Sequence, residues 1–160
     1  HTNVDGAQFA IDTYTVELFA SMMPSLTSQA EAAEKMKAAG AKLLDQIGPA
    51  ILLTHSQSGQ YGWALADTRP SNVKAIVALE PAGPPFTNAV FPSTTSARQY
   101  GLTDIPVTYD PPINSPDDIT RVVVSSEPLY TCFLQASPPR KLINLAHTGP
   151  FHSIHRWCDA

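Results

Sequence analysis

The stretch that decides the fold is Gly48-Pro49-Ala50-Ile51-Leu52-Leu53-Thr54-His55-Ser56-Gln57-Ser58-Gly59-Gln60-Tyr61-Gly62-Trp63. Ala50 to Thr54 is a short, uniformly apolar run. It is too short for a helix and reads as a strand buried on both faces of a parallel sheet. His55 to Gly59 is a sharp polar turn, and residues 59–68 read as a helix that stops before Arg69-Pro70. The turn carries the form small-x-Ser-x-small, with Thr54 and Ser58 two positions either side of Ser56. It is a relaxed version of the Gly-x-Ser-x-Gly pattern, in which a serine stands on a strained strand-to-helix turn. In that geometry Ser56 would project above the carboxyl edge of the sheet. The Gln57 amide, in the first turn of the helix, would point toward a developing oxyanion, with the helix dipole adding to the field. A second register makes Ser58 the nucleophile, but Gln60 is then too large for the second small position. The plainer reading is an ordinary strand-to-helix turn whose serines cap the helix.

Upstream, Ser28 and Glu31 have capping-box spacing, and Met36, Leu43, Leu44 and Ile47 recur at helical intervals before Gly48-Pro49. A helix is therefore predicted over about 28–47. Residues 8–23 are mostly apolar and stop at Pro24, as a short helix or a lid-like segment. Downstream, Val73 to Leu79 reads as a second buried strand. The order helix, strand, tight turn, helix, strand is an α/β pattern with a parallel sheet. Residues 81–116 carry Pro-Ala-Gly-Pro-Pro, Ile105-Pro106 and Asp110-Pro111-Pro112, which exclude a central strand or a long helix. This Pro-rich insertion is expected to pass over a binding face. Val122 to Val124 suggests a short strand, and residues 129–135 and 139–146 read as weakly helical.

Composition sets the outer bounds. The chain has 160 residues, enough for one domain with a core, and a net charge of −4 without any basic stripe, which argues against a nucleic-acid partner. No apolar run reaches the ~20 residues of a membrane span. Charged residues are only 15% and prolines number 15, a balance that suits an extracellular protein. On that ground Cys132 and Cys158 are expected to pair, closing a loop of roughly 26 residues; the alternative is two separate buried thiols. The chain opens at His1 with neither an initiator Met nor a signal-peptide pattern, so this end is expected to be processed or truncated.

Beyond these local readings, LLTHSQSG (52–59), KAIVALEPAGPPF (74–86), GLTDIPVTYDPP (101–112) and CFLQASPPRKL (132–142) resemble a family of bacterial and fungal α/β-hydrolase esterases, the esterase 713-like family. The resemblance covers roughly residues 20–145. It implies a single α/β-hydrolase domain over 1–160, mostly parallel sheet with helices on both faces, and incomplete in this chain. It also implies a carboxylesterase-like serine hydrolase that needs no cofactor. Glu80 ends the strand after the nucleophile strand, and carboxyl ends of parallel strands gather catalytic groups in one crevice. In the family the glutamate of the matching Glu-Pro pair is the triad acid, a role that carries to Glu80.

The family's histidine lies near the C-terminus, in a Gly-Asn-x-His-Met-type segment that has no match here. The apolar strand expected after Asn144-Leu145 is missing from the sequence HTGPFHSIHRWCDA (147–160). His147, His152 and His155 are the remaining candidates for general base, and His55 is expected to be a packing residue. His152, His155 and Cys158, spaced three apart, do not share one helix face, and there is no second ligand pair, so no metal site is expected. The aromatics Tyr61, Trp63, Phe86 and Tyr109 suggest an apolar or aromatic group on the ester, with Tyr61 and Phe86 as binding residues. Two strong strands and one capped helix leave apolar edges open, so a second polypeptide or a further segment is expected to complete the domain. The competing function is a non-catalytic α/β-hydrolase-fold module that binds an apolar ligand or a partner chain.

Overall fold

The computed structural model describes residues 26, 28–88, 96–124 and 131–145, and the backbone of 125–126 and 151–154. The first helix, α1 (Gln29–Ile47), begins where the cap predicts: the Ser28 hydroxyl accepts from the Glu31 amide at 3.2 Å. The Glu31 carboxylate lies 2.7 Å from Lys35 Nζ. Gly48, at φ 79°, closes the helix by donating to the Leu44 carbonyl. Of the four apolar residues that recur at helical intervals, only Leu44 is buried. Met36, Leu43 and Ile47 are exposed, and the buried face is Ala32, Ala33, Ala41 and Leu44. Small residues win there because α1 lies close on the next helix. A Cβ at Gly40 would come within 2.7 Å of Leu65 Cδ2.

Strand β1 (Ala50–His55), a 3₁₀ turn (Ser56–Ser58), helix α2 (Gly59–Thr68) and strand β2 (Val73–Leu79) follow in the predicted order, with β1 running one residue further, to His55. The strands are parallel, with Leu52 opposite Ile76, Leu53 opposite Val77 and Thr54 opposite Ala78. Helix α2 lies on the Ala50, Leu52, Thr54 face, where Gly62 lets the helix backbone approach: a Cβ there would meet Thr54 Cγ2 at 2.9 Å. Trp63, Ala66, Val73, Ile76, Ala78 and Leu145 form the core between them, joined by Leu44 from α1. Burying side chains such as Ile76 and Leu44 contributes about 1.5–3 kcal/mol each.

The other face of β1 departs from the expectation of a strand buried on both sides. Ile51 and Leu53 are 68% and 70% exposed, and His55, on the same face, is exposed rather than packed. Among the described residues nothing covers that face, and β1 is the edge of a three-stranded sheet in which β2 lies between β1 and a strand at Phe151–Ile154. Strand β7 (Phe151–Ile154) corrects a second expectation. The tail does supply a strand, parallel to β2 with His152 opposite Val77. The sequence hides it because the run is only four residues and is interrupted by His152 and Ser153.

The Pro-rich segment starts at the carboxyl edge of the sheet and then runs along α2. Near the start of α2, the Asp104 amide donates to Gln60 Oε1; near its end, the Thr108 amide and hydroxyl donate to Asp67. The segment is stapled by Arg98, whose backbone amide donates to Asp104 and whose Nε donates to the Pro84 carbonyl. Beyond it lie β3 (Tyr109–Asp110), a 3₁₀ turn (Pro116–Asp118), β4 (Arg121–Ser126), β5 (Thr131–Gln135) and β6 (Lys141–Leu142). β3 pairs with β6, and β4 with β5, both antiparallel. Thr131 to Gln135 is thus strand, not helix, and Lys141–Leu142 is strand as well. The β-branched and aromatic content of both partners fits a pleated pair, with Val123 opposite Phe133. Cys132 is fully buried in β5. Cys158, residues 8–23 and the side chains of His147, His152 and His155 lie outside the described residues.

Candidate active site

Ser56 is the first residue beyond β1 and begins the 3₁₀ turn into α2. Its φ is 53°, a region that costs a non-glycine residue about 1–3 kcal/mol unless the surroundings hold it there. The surroundings do so on two sides. The Ser56 carbonyl accepts from the Ala82 amide at 2.9 Å, tying the turn to the loop after β2. The neighbouring Ser58 hydroxyl accepts from the His55 amide at 2.8 Å and donates to the His55 carbonyl at 2.7 Å. Ser58 is therefore engaged in closing the turn. Ser56 is exposed, and its hydroxyl makes no hydrogen bond among the described residues.

Glu80 is the first residue beyond β2, at φ 39°, and is exposed. Its successor Pro81 packs on the start of α2: a Cβ at Gly59 would lie 2.6 Å from Pro81 Cβ. Glycine at 59 is therefore required for the loop that bears Glu80 to close against the turn that bears Ser56. This requirement falls one position after Ser58, so the second small residue of the sequence pattern and the glycine that packing demands are different residues.

Gln57 follows Ser56 inside the 3₁₀ turn, and its side-chain amide donates to Gln29 Oε1 at 2.6 Å. That bond clamps the turn to the first residue of α1, a link between residues 28 positions apart that no local motif signals. The aromatic candidates separate. Tyr61 packs with Ala33, Ala64 and Ile105, and burial, with Asp104 nearby, pushes its phenol up. Trp63 belongs to the central core. Phe86 and Tyr109 share a third cluster with Val107 and Ile119. Arg98 is the polar residue that sequence reading passes over. It is buried at φ 47°, and a Cβ on Gly83 would lie 2.6 Å from its Nη2. Burial lowers its guanidinium from the ordinary range, partly offset by Asp104. The Gly83-Pro84 pair close to Glu80 is the only sequence signal for it.

Among the described residues no cluster of His, Cys, Asp or Glu could hold a metal ion, and no helix is long and apolar enough to cross a membrane.

No family model matches the chain, and no solved structure matches it. A curated relative is similar over all of it: "Probable secreted lipase phiG" of Fungal sp. (strain ATCC 74256), 37% identical over 171 residues. The aligned part is 47% of that relative, so the chain spans about half the length of the curated relative it matches.

Proposed function

We propose that the protein is a secreted serine carboxylic-ester hydrolase of the α/β-hydrolase type, close to the esterase 713-like family. The observation that carries this reading is Ser56, exposed at a positive φ on a strand-to-helix turn. Its hydroxyl is not consumed by the turn among the described residues, whereas that of Ser58 is. The whole-chain similarity to a probable secreted lipase supports both the ester-hydrolase class and the secreted location.

In this reading the Ser56 oxygen attacks the ester carbonyl while its proton passes to a general-base histidine. The carbonyl oxygen becomes an oxyanion beside the Gln57 amide, where fixed donors stabilise developing charge without reorganisation. Collapse expels the alcohol, which takes the proton, and leaves an acyl group on Ser56. Water then repeats the sequence and releases the acid. Glu80 orients the histidine and balances its positive form. His147, His152 and His155 are the candidates for the base.

A second polypeptide or a further segment would complete the domain against the edge of β1 and its Ile51 and Leu53 face, which no described residue covers. The half-length match supports this.

A fluorophosphonate probe tests the reaction, since it phosphonylates an activated serine. Labelling that maps to Ser56 and vanishes in Ser56→Ala is the expected result. Absence of labelling in the intact assembly would instead favour a non-catalytic binding module or subunit.

A further inference from the structure

Arg98 is a buried charged residue that the reaction at Ser56 does not use. It is 7% exposed, yet no carboxylate among the described residues pairs with its guanidinium. Nε donates to the Pro84 carbonyl at 2.9 Å, and Nη2 is buried without a hydrogen-bond partner. Asp104, the acid whose charge acts on it, accepts from the Arg98 backbone amide instead. A buried guanidinium with an unmatched donor carries a desolvation cost, and φ 47° adds a backbone cost. Departures of this kind gather where a site needs fixed geometry.

The geometry that Arg98 fixes is a closed ring. The Ala82 amide donates to the Ser56 carbonyl at 2.9 Å. Two residues on, the Pro84 carbonyl accepts from Arg98 Nε. The Arg98 amide donates to the Asp104 carboxylate. The Asp104 amide donates at 3.1 Å to Oε1 of Gln60, a buried residue in the first turn of α2. From Gln60 the chain runs back through Gly59 and the 3₁₀ turn to Ser56. The ring thus leaves the nucleophile turn at Ser56 and rejoins the chain at Gln60, and the loop after Glu80 forms one side of it.

The far side of the ring is rigid. The Gly101 amide donates to the Arg98 carbonyl at 2.8 Å, and the Tyr100 amide to the Thr103 carbonyl at 3.1 Å. The fully buried Thr103 hydroxyl donates to the Ile105 carbonyl at 2.6 Å. The guanidinium also lies directly on the backbone of the Glu80 loop. At Gly83, φ 66°, a Cβ would come within 2.6 Å of Nη2 and 3.2 Å of Cζ.

We propose that Arg98 is a positioning residue that fixes the Glu80 loop against the Ser56 turn, with Asp104 and Gln60 completing the link. The proposal rests on the ester-hydrolase reading for what Ser56 and Glu80 do. Without the Arg98 side chain the ring opens. The loop is then held to the turn by the Ala82 bond and by Pro81 on Gly59. A misplacement of about 1 Å between reacting groups costs on the order of a hundredfold in rate.

The test uses the intact protein, with p-nitrophenyl acetate as substrate and a fluorophosphonate as second reporter. Arg98→Gly removes the side chain and suits a φ of 47°. Gln60→Met opens the same ring at its other end, and keeps the test decisive if Arg98→Gly does not fold. Leu44→Val, in the core at the end of α1, is the control for lost stability. Circular dichroism and urea midpoints establish that each variant is folded. In both ring variants kcat should fall by about 10- to 100-fold with KM within about twofold of wild type. Labelling of Ser56 should slow in parallel, and Leu44→Val should keep its kcat. The double ring variant should lose no more than the worse single one, because one ring is opened twice. Guanidinium chloride far below denaturing concentration should return part of the kcat of Arg98→Gly, and equal sodium chloride should not. A wild-type protein that neither turns over ester nor labels at Ser56 would refute the ester-hydrolase reading and this proposal with it. An active, labelled wild type would overturn the positioning role alone if the folded ring variants keep wild-type kcat, lose only in KM, or lose no more than Leu44→Val.

Discussion

Ser56 and Glu80 occupy corresponding positions beyond two paired strands. His55 faces Leu79 at the last rung of the parallel ladder, and the next residue on each strand is the serine and the glutamate. Both turn at positive φ, 53° and 39°, and the Ala82-to-Ser56 hydrogen bond ties their loops together. Two departures from ordinary backbone at one sheet edge, on the two residues proposed as nucleophile and triad acid, support the proposed function.

If Glu80 is the acid of a triad, Glu80→Gln should retain the fold, because the side chain is exposed. Ester turnover should fall by several orders of magnitude; the corresponding Asp→Asn change in a serine protease costs about 10⁴. Wild-type kcat in this variant would remove Glu80 from the mechanism.

Gly59→Ala should destabilise the protein by about 1–3 kcal/mol, the usual cost of overpacking. The new methyl would meet Pro81 at 2.6 Å and push the Glu80 loop away from the turn. Urea midpoints measure the first effect. A drop in kcat larger than that of a destabilised variant remote from the site would measure the second.

Arg98→Met should cost roughly 1–3 kcal/mol, because the buried Pro84 carbonyl loses its donor. The Asp104 contact to the Arg98 backbone amide is left in place. Retention of full stability would show that the apolar contacts of the segment hold it without the staple.

Alkaline pH should weaken the fold through Tyr109. Burial pushes its phenol from 10.0 up to about 12, with the Asp67 charge adding to the shift. The folded value lies above the unfolded one. This contribution is therefore complete below the unfolded pKa and is lost as pH rises through the folded one. Stability should decline by roughly 2–3 kcal/mol across that window. Tyr109→Phe should abolish that part of the pH dependence in denaturant titrations, while losing the hydrogen bond to Tyr100.

Cys132 and Cys158 should appear as one linked pair in non-reducing peptide mapping, as the composition of an extracellular protein suggests. Two alkylatable thiols in the native protein would end that expectation.

Local chemistry alone makes the stretch from Ser28 to Leu79 legible. Its boundaries are set by local chemistry: the Ser28 cap, the αL glycine at 48, the short apolar runs and Pro70. It also marked Ser56 and Glu80, because each ends an apolar run with a polar residue and a turn. Which face of α1 is buried depends on helix packing. Periodicity counts large apolar residues, whereas close helix packing selected Ala33, Ala41 and Gly40. Thr131–Gln135 reads as helix when taken alone and becomes a strand because Val122 and Val123 lie across from it, a pairing that no local window contains. The grouping of Phe86 with Tyr109 and Phe133, and the separation of Tyr61 from them, arise likewise from where the Pro-rich segment crosses α2. Contacts between residues tens of positions apart depend on how elements pack, and packing is a property of the assembled chain.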